Sequence, residues 1–368
     1  MKFGTINKEA LEELRSRIGV PIQESQPYIE VATKDAIKHF AHGIGDTNPL
    51  WLDEDYAKKT KYRFILAPPS ILYAMSRIVS GYVGGLPGVH AMFAGTNWEW
   101  HQVIKVNDRI RSKSYLKDLV EKRSEFSGRA IQQIYETSFE NQESEVVAKA
   151  NSWCFRTERD TARTRDKYGS IKPHRYSIEE LQTIAADYRR EKVRGTEPRY
   201  WEDVRVGEEL TPVVKGPLTA TSVIAFLQGW GGLYIRAHGL AFELYEKHPA
   251  LGIPNSQGVP EPPERVHWSS EFAKRVGVPM AYDYGPERVS WLGHLMTNWM
   301  GDDGVLRKLE VQVRRFNILG DTTWCRGEVV EKYFDGDNYL VKCKIWAENQ
   351  TGAVTAKGTA TVMLTSKK

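Results

Sequence analysis

At 368 residues, with 41% hydrophobic and 27% charged side chains, the chain has the composition of a soluble globular protein of two or three domains. Its net charge of +4 is too small to suggest a nucleic-acid-binding stripe, although it suits an anionic small ligand. Three widely spaced cysteines without a CxxC pair indicate neither a disulfide framework nor a zinc site. The opening MKFGTINKEALEELRSRIG is charged and amphipathic, unlike a signal peptide, and there is no apolar run long enough to span a membrane. A cytoplasmic protein without nucleic-acid or membrane partners is expected.

In chain order, the first clear element is TKDAIKHFAHGIGD (33–46), which reads as an amphipathic helix capped by Thr33 and ended by glycine. It aligns without gaps on TATSVIAFLQGWGG (219–232), pairing Phe40 with Phe226 and Gly43 with Gly229, and so reveals an internal duplication. A second block repeats as well: LWLDEDYAKKTKYRF from Leu50 aligns on VHWSSEFAKRVGVPM from Val266. The second copy carries an insertion at about 233–262. Each copy then shows a more apolar helix, SILYAMSRIVSGYV or PERVSWLGHLMTNWMG, followed by alternating apolar segments with Asn-Gln or Gly turns that predict antiparallel strands.

Each copy is therefore expected to be an α+β unit in which a curved antiparallel sheet wraps one central helix. The boundaries are 1–158 for the first copy, 159–198 for a charged linker and 199–368 for the second copy. Within the linker, Ser177 with Glu180 makes a capping-box helix start and Gly195 a stop.

The duplicated blocks resemble the MaoC-like dehydratases, the (R)-specific enoyl-CoA hydratases and their double-hotdog relatives. That family's motif runs approximately G-D-x-N-P-[IL]-H-x-D-x-x-[FY]-A, with H-G later at the start of the central helix. Here the first copy has GDTNPLWLDEDYA and the second has VHWSSEFA followed by YDYGPER, while RYWEDVRVGEEL looks like the family's domain opening. The resemblance implies two hotdog domains with their sheets joined side by side, and reversible addition of water across the C2–C3 bond of an acyl thioester, without a metal or cofactor. It further implies acyl-CoA, or the thioester of an acyl carrier protein, as the ligand. A homo-oligomer or pairing with another hotdog protein is expected. Such chemistry needs a base for water, an acid for C2 and donors for the charge that develops on the thioester oxygen.

The two copies differ in what they can supply. The family's histidine position holds Trp51 in the first copy and His267 in the second, and the oxyanion glycine position holds Pro69, which lacks an N–H, against Gly285. The first copy is thus expected to be degenerate and to shape the acyl cavity. In the second copy the motif aspartate, matched to Asp46, is replaced by Gly232. Glu264 is the first choice for a substitute, with Glu261 and Asp283 as alternatives and Asp46 borrowed across the halves less favoured. His267, Glu264 and Gly285 are the expected catalytic set, and Asp46, Asn48, Asp283 and Tyr284 the expected substrate-binding residues. Eleven tryptophans and the insertion hint at a bulky acyl group. The rival reading is a non-catalytic acyl-thioester-binding subunit that needs a catalytic partner. Thioester hydrolysis on the same fold is a third, for which no nucleophile is evident.

Overall fold

The computed structural model describes residues 5–23, 27–124, 128–158 and 173–368. The first half contributes β1 (Pro21–Ile22), β2 (His90–Trp100), β3 (Arg111–Ser124), β4 (Gly128–Glu140) and β5 (Val146–Thr157). The second half contributes β6 (Val213–Lys215), a two-stranded hairpin β7 (Ile253–Pro254) and β8 (Pro260–Glu261), then β9 (Val305–Val313), β10 (Thr323–Asp335), β11 (Asn338–Asn349) and β12 (Val354–Met363). Ten of these strands form one antiparallel sheet in the order β1-β3-β4-β5-β2-β9-β12-β11-β10-β6. The order is the same read outward from its centre, where β2 pairs with β9 from Gly95↔Gln312 to Glu99↔Lys308. The two repeats thus join edge to edge, and β2 and β9, which would be exposed edges in isolated halves, satisfy each other's hydrogen bonds.

Along β10, buried Thr323, Cys325, Gly327 and Val329 alternate with partly exposed neighbours, so one sheet face is given to the core. That face wraps the helix Gly285–Met300, in which every residue from Pro286 onward is buried. A helix covered on all sides tolerates apolar residues all round, which explains the weak amphipathicity of WLGHLMTNWM.

The first half departs from the expectation of a matching central helix. SILYAMSRIVSGYV forms only a short 3-10 segment, Pro69–Ala74, followed by turns. Gly81, Gly85 and Gly88 adopt positive φ, as does Leu86, so the backbone leaves helical geometry repeatedly just where a helix would have to continue. In the linker the capping box of Ser177 and Glu180 does start a helix, but it ends at Arg190 and not at Gly195. Residues 159–172 of the linker lie outside the described residues.

The aligned helices Lys34–Ile44 and Ala220–Trp230, capped by Thr33 and Thr219, pack on each other near the pseudo-twofold axis. Gly43 and Gly229 permit the crossing. A Cβ at Gly229 would lie 2.5 Å from the His39 carbonyl oxygen and 2.6 Å from Phe40 Cα. Alanine has the higher helix propensity by about 1 kcal/mol, so the sign of Gly229→Ala reports which effect wins. Because the obstacle is backbone, the substitution is expected to destabilise the protein by about 1–3 kcal/mol, seen as a lower urea midpoint. An unchanged or higher midpoint would contradict this close crossing.

Candidate active site

A cavity of about 330 Å³ opens between the halves. Its second-half wall carries Glu264, His267, Tyr284 and Gly285, and its first-half wall carries Ser80, Met92, Phe93 and Phe155. The symmetry-related space is lined by Trp51, Tyr62, Pro69 and Trp100 with Met300 and Leu306, and holds only about 30 Å³. Bulky side chains have filled the first copy's counterpart of the cavity.

Local chemistry explains how the second copy's groups are aimed. Pro262 and Pro263 restrict the backbone ahead of a 3-10 turn, Pro263–His267, that places Glu264 and His267 one turn apart. The Glu264 carboxyl accepts hydrogen bonds from the backbone N–H groups of Leu233 and Tyr234 at 2.9 and 2.5 Å, and from the Tyr284 hydroxyl at 3.4 Å. Gly231 and Gly232, both at positive φ, turn the chain so that these successive N–H groups converge on the carboxyl. One Glu264 oxygen lies 3.2 Å from where a Cβ on Gly232 would stand. The glutamate therefore reaches back to the root of the side chain that the second copy lacks. Burial pushes its pKa up to about 7, against the lowering effect of the backbone N–H groups and Tyr284.

His267 Nδ1 lies 2.8 Å from the Tyr282 carbonyl oxygen. A carbonyl can only accept, so Nδ1 carries the proton and the neutral ring presents Nε2 as a lone-pair acceptor. Burial pulls its pKa down to about 4, although hydrogen bonding with the Tyr282 and Asp283 backbone favours the charged form. The ring stacks on Tyr284 with centroids 3.7 Å apart.

Gly285 opens the 16-residue central helix, where N–H groups have no preceding helical carbonyl and the helix dipole favours negative charge. A Cβ there would stand 2.1 Å from Phe93 Cδ1, so glycine also lets the first half's wall close against the helix start. This contact, the Tyr282 carbonyl and the Leu233–Tyr234 amides were not foreseen from the sequence. Only the Gly231-Gly232 pair hinted at the last of them.

Of the other expected residues, Asp283 lines the same cavity, whereas Glu261, Asp46 and Asn48 do not. Asp283 is buried and engaged by Arg288 through both carboxylate oxygens, one bond being 2.7 Å, with Asn317 at 3.3 Å. It anchors the start of the central helix and is not free to serve as a base. Glu261 is paired with Arg265. Asp46 and Asn48 do not line the large cavity, contrary to expectation. Asp46 accepts from the Asn48 N–H at 2.9 Å and Trp51 Nε1 at 3.0 Å, and Asn48 caps the short helix Pro49–Leu52. Trp51, at the position aligned with His267, thus engages the Asp46 carboxylate directly. His294 of the central helix faces Asp46 with Nε2 3.5 Å from Oδ1, and its Nδ1 lies 2.8 Å from Lys215 Nζ, which also donates to the Ile44 and Gly45 carbonyls. The first copy's polar residues have become a buried tie between the halves.

Comparison with known proteins agrees with this architecture. Residues 16–150 match the family model of the FAS1-like dehydratase domain region. A UPF0336 protein of Streptomyces avermitilis is 26% identical over 110 residues, which make up 28% of this chain and 72% of that protein. A solved MaoC-like dehydratase superposes with a TM-score of 0.64 at 17% identity, covering 96% of this chain and 100% of its own. A MaoC-like dehydratase of Phytophthora capsici gives 0.52 at 12% identity, covering 96% and 98%. A double-hotdog protein of Mycobacterium tuberculosis gives 0.53 at 9% identity, covering 99% and 96%. Residues 16–150 thus resemble the FAS1-like dehydratase region, and the chain as a whole shares a double-hotdog fold with solved MaoC-like dehydratases.

Proposed function

We propose that the protein is a hydratase/dehydratase acting on the C2–C3 double bond of an acyl thioester, interconverting a 2-enoyl-CoA and a 3-hydroxyacyl-CoA. The observation that carries this reading is the pairing, in one cavity wall, of a neutral histidine with a fixed tautomer and a carboxyl whose pKa burial has lifted to about 7. In hydration, His267 Nε2 takes a proton from water as the oxygen bonds to C3. The Glu264 carboxyl gives its proton to C2, and the charge developing on the thioester oxygen is met by the N–H of Gly285. Dehydration runs the same steps backward, with the Glu264 carboxylate taking the C2 proton and protonated His267 releasing the hydroxyl as water. The match of residues 16–150 to a dehydratase region supports the reaction class.

The aromatic walls, with Phe93, Phe155, Trp230 and Phe316, and the missing central helix of the first half favour a bulky acyl group. No helix among the described residues is long and apolar enough to cross a membrane, and the ligand is read as a water-borne thioester of CoA or an acyl carrier protein. Because the two halves supply each other's sheet edge, the chain contains in itself the pairing that a single hotdog finds in a dimer.

Incubation with trans-2-enoyl-CoA thioesters of graded bulk, followed by loss of the conjugated enoyl absorbance, tests the reading; absence of hydration across the series would refute it. Its pH dependence has a definite sign. His267 must be neutral, which holds above about pH 4, and Glu264 must be protonated, which holds below about pH 7. The hydration kcat/KM is therefore expected to fall on the alkaline side with a midpoint near 7. A profile flat to about pH 9 would remove Glu264 as the proton donor.

A further inference from the structure

The cavity wall contains one residue that touches both members of the acid–base pair. Tyr284, in extended conformation just before the central helix, is almost wholly buried. Its hydroxyl donates to Glu264 Oε1 at 3.4 Å while its ring lies against the His267 imidazole, 3.7 Å between centroids with 29° between planes. The ring is held from behind by Trp230 at 4.7 Å and Phe226 at 5.9 Å, so it has little freedom to swing toward a ligand. The backbone N–H of Tyr284 is held by Glu287 at 3.3 Å, and the next residue is Gly285. A single side chain thus spans from the carboxyl to the imidazole, and its own backbone runs directly into the helix start.

We propose that Tyr284 is the positioning residue of the pair, fixing the Glu264 carboxyl by its hydroxyl and supporting the His267 ring by its face, and is not primarily a substrate contact. The inference rests on the hydratase reading of the site. Physically, the two contacts act at different stages. A donated O–H favours the carboxylate over the carboxyl, so Tyr284 counteracts the burial that drives Glu264 upward. The ring face favours the imidazolium that forms once His267 has taken the water proton, as a cation over an aromatic face is attracted by its quadrupole. The hydroxyl itself stays protonated, since burial and the neighbouring Glu264 hold its pKa well above the ordinary value. The other titratable groups around the cluster include Glu287 and Tyr282 beside Tyr284, Asp283 next to it in the chain, and Arg236, Tyr234 and Tyr245 beside Glu264. Their chemistry is unaltered by a phenylalanine at 284.

The two contacts can be separated by substitution. Tyr284→Phe keeps the ring and removes the hydroxyl; Tyr284→Leu removes both. In ¹³C-labelled protein, Tyr284→Phe is expected to raise the Glu264 carboxyl titration midpoint by about half a pH unit or more, modest because 3.4 Å is a long hydrogen bond, and to leave the His267 midpoint in place. The alkaline limb of kcat/KM should move up by the same amount. Tyr284→Leu should in addition lower the His267 midpoint. A residue that only stabilised the fold would lower the melting temperature and move neither midpoint. An unchanged Glu264 midpoint in Tyr284→Phe, or a moved midpoint with an unmoved kinetic limb, overturns the proposal. Wild-type protein without hydratase activity would refute the functional reading alone, because the carboxyl titration still decides whether Tyr284 governs Glu264.

Discussion

His267→Ala is expected to lower kcat for enoyl-thioester hydration by about 10²- to 10⁴-fold, the range for removal of a general acid–base group. The argument is geometric first. His267 has one ring nitrogen committed to the Tyr282 carbonyl, so the other is an acceptor whatever the ligand, and the ring lines the large cavity. Its pKa, lowered to about 4, leaves it unprotonated through the neutral range. Stability should fall by no more than about 1–3 kcal/mol, because the variant loses one hydrogen bond, worth about 1 kcal/mol net, and the ring's packing on Tyr284 and Tyr282. Circular dichroism and the melting temperature establish that the fold persists, and near-normal turnover in the folded variant would remove His267 from the mechanism. Adding Trp51→His to this variant should not restore activity. Pro69 still supplies no N–H at the oxyanion position, and the first copy's cavity of about 30 Å³ has no room for an acyl chain.

The contrast between the copies was visible in the sequence to an instructive depth. Alignment of Gly43 with Gly229 and of Thr33 with Thr219 identified the duplication, and in three dimensions those pairs are the helix crossing and the two caps. Such features are local: a cap or a close approach is written in one or two residue types. The edge-to-edge joining of β2 and β9 followed from the family resemblance, since strand alternation says which face is buried but not which edge is shared. The first half's apolar spacing is helical, whereas Gly81, Gly85 and Gly88 take positive φ, Gly81 against Phe93 and Cys154 and Gly85 against Leu14, turn geometry set by packing within the first half that apolar spacing does not record. Asp46 was misplaced for a related reason. Its motif neighbours, Asn48 and Pro49, are retained as helix-capping chemistry, so the motif survives in the sequence although its carboxylate now bonds Trp51. Glu264 is a candidate because the duplication shows Gly232 where the motif aspartate would stand; the two positive-φ glycines that build its amide cradle have no counterpart in the helix-and-strand pattern.

Glu264→Gln is expected to reduce turnover by at least about 10²-fold, and Gly232→Asp to recover part of that loss when the position at 264 is cleared. Glutamine keeps the shape, but its single carbonyl oxygen can accept from only one of the Leu233 and Tyr234 N–H groups, which meet different oxygens of the glutamate, and its amide has no acidic proton to give at neutral pH. If the glutamate has replaced a motif aspartate, the two carboxyls must compete for one space. The structure makes the competition specific, since a Cβ on Gly232 would lie 3.2 Å from Glu264 Oε1 and 2.8 Å from Ile235 Cδ1. Gly232→Asp alone should therefore be damaging, with a second carboxyl crowding the first and a side chain forced into positive φ. Aspartate is among the few residues that tolerate that backbone region, and Ile235 is the flexible obstacle. In Gly232→Asp/Glu264→Ala the restored aspartate projects into the space left by the glutamate, within reach of the same amides. The double variant should then hydrate enoyl thioesters faster than either Glu264→Ala or Gly232→Asp, a non-additive result that two independent structural defects would not produce. Parallel assays of Glu261→Gln, Asp283→Asn and Asp46→Asn separate the alternatives. Glu261 and Asp46 lie in ion-pair and capping networks away from the pair, and Asp283→Asn should act through loss of the Arg288 anchor, lowering the melting temperature together with activity. Full activity in Glu264→Gln, or loss in Asp46→Asn at unchanged stability, would show that the carboxyl serving His267 comes from elsewhere.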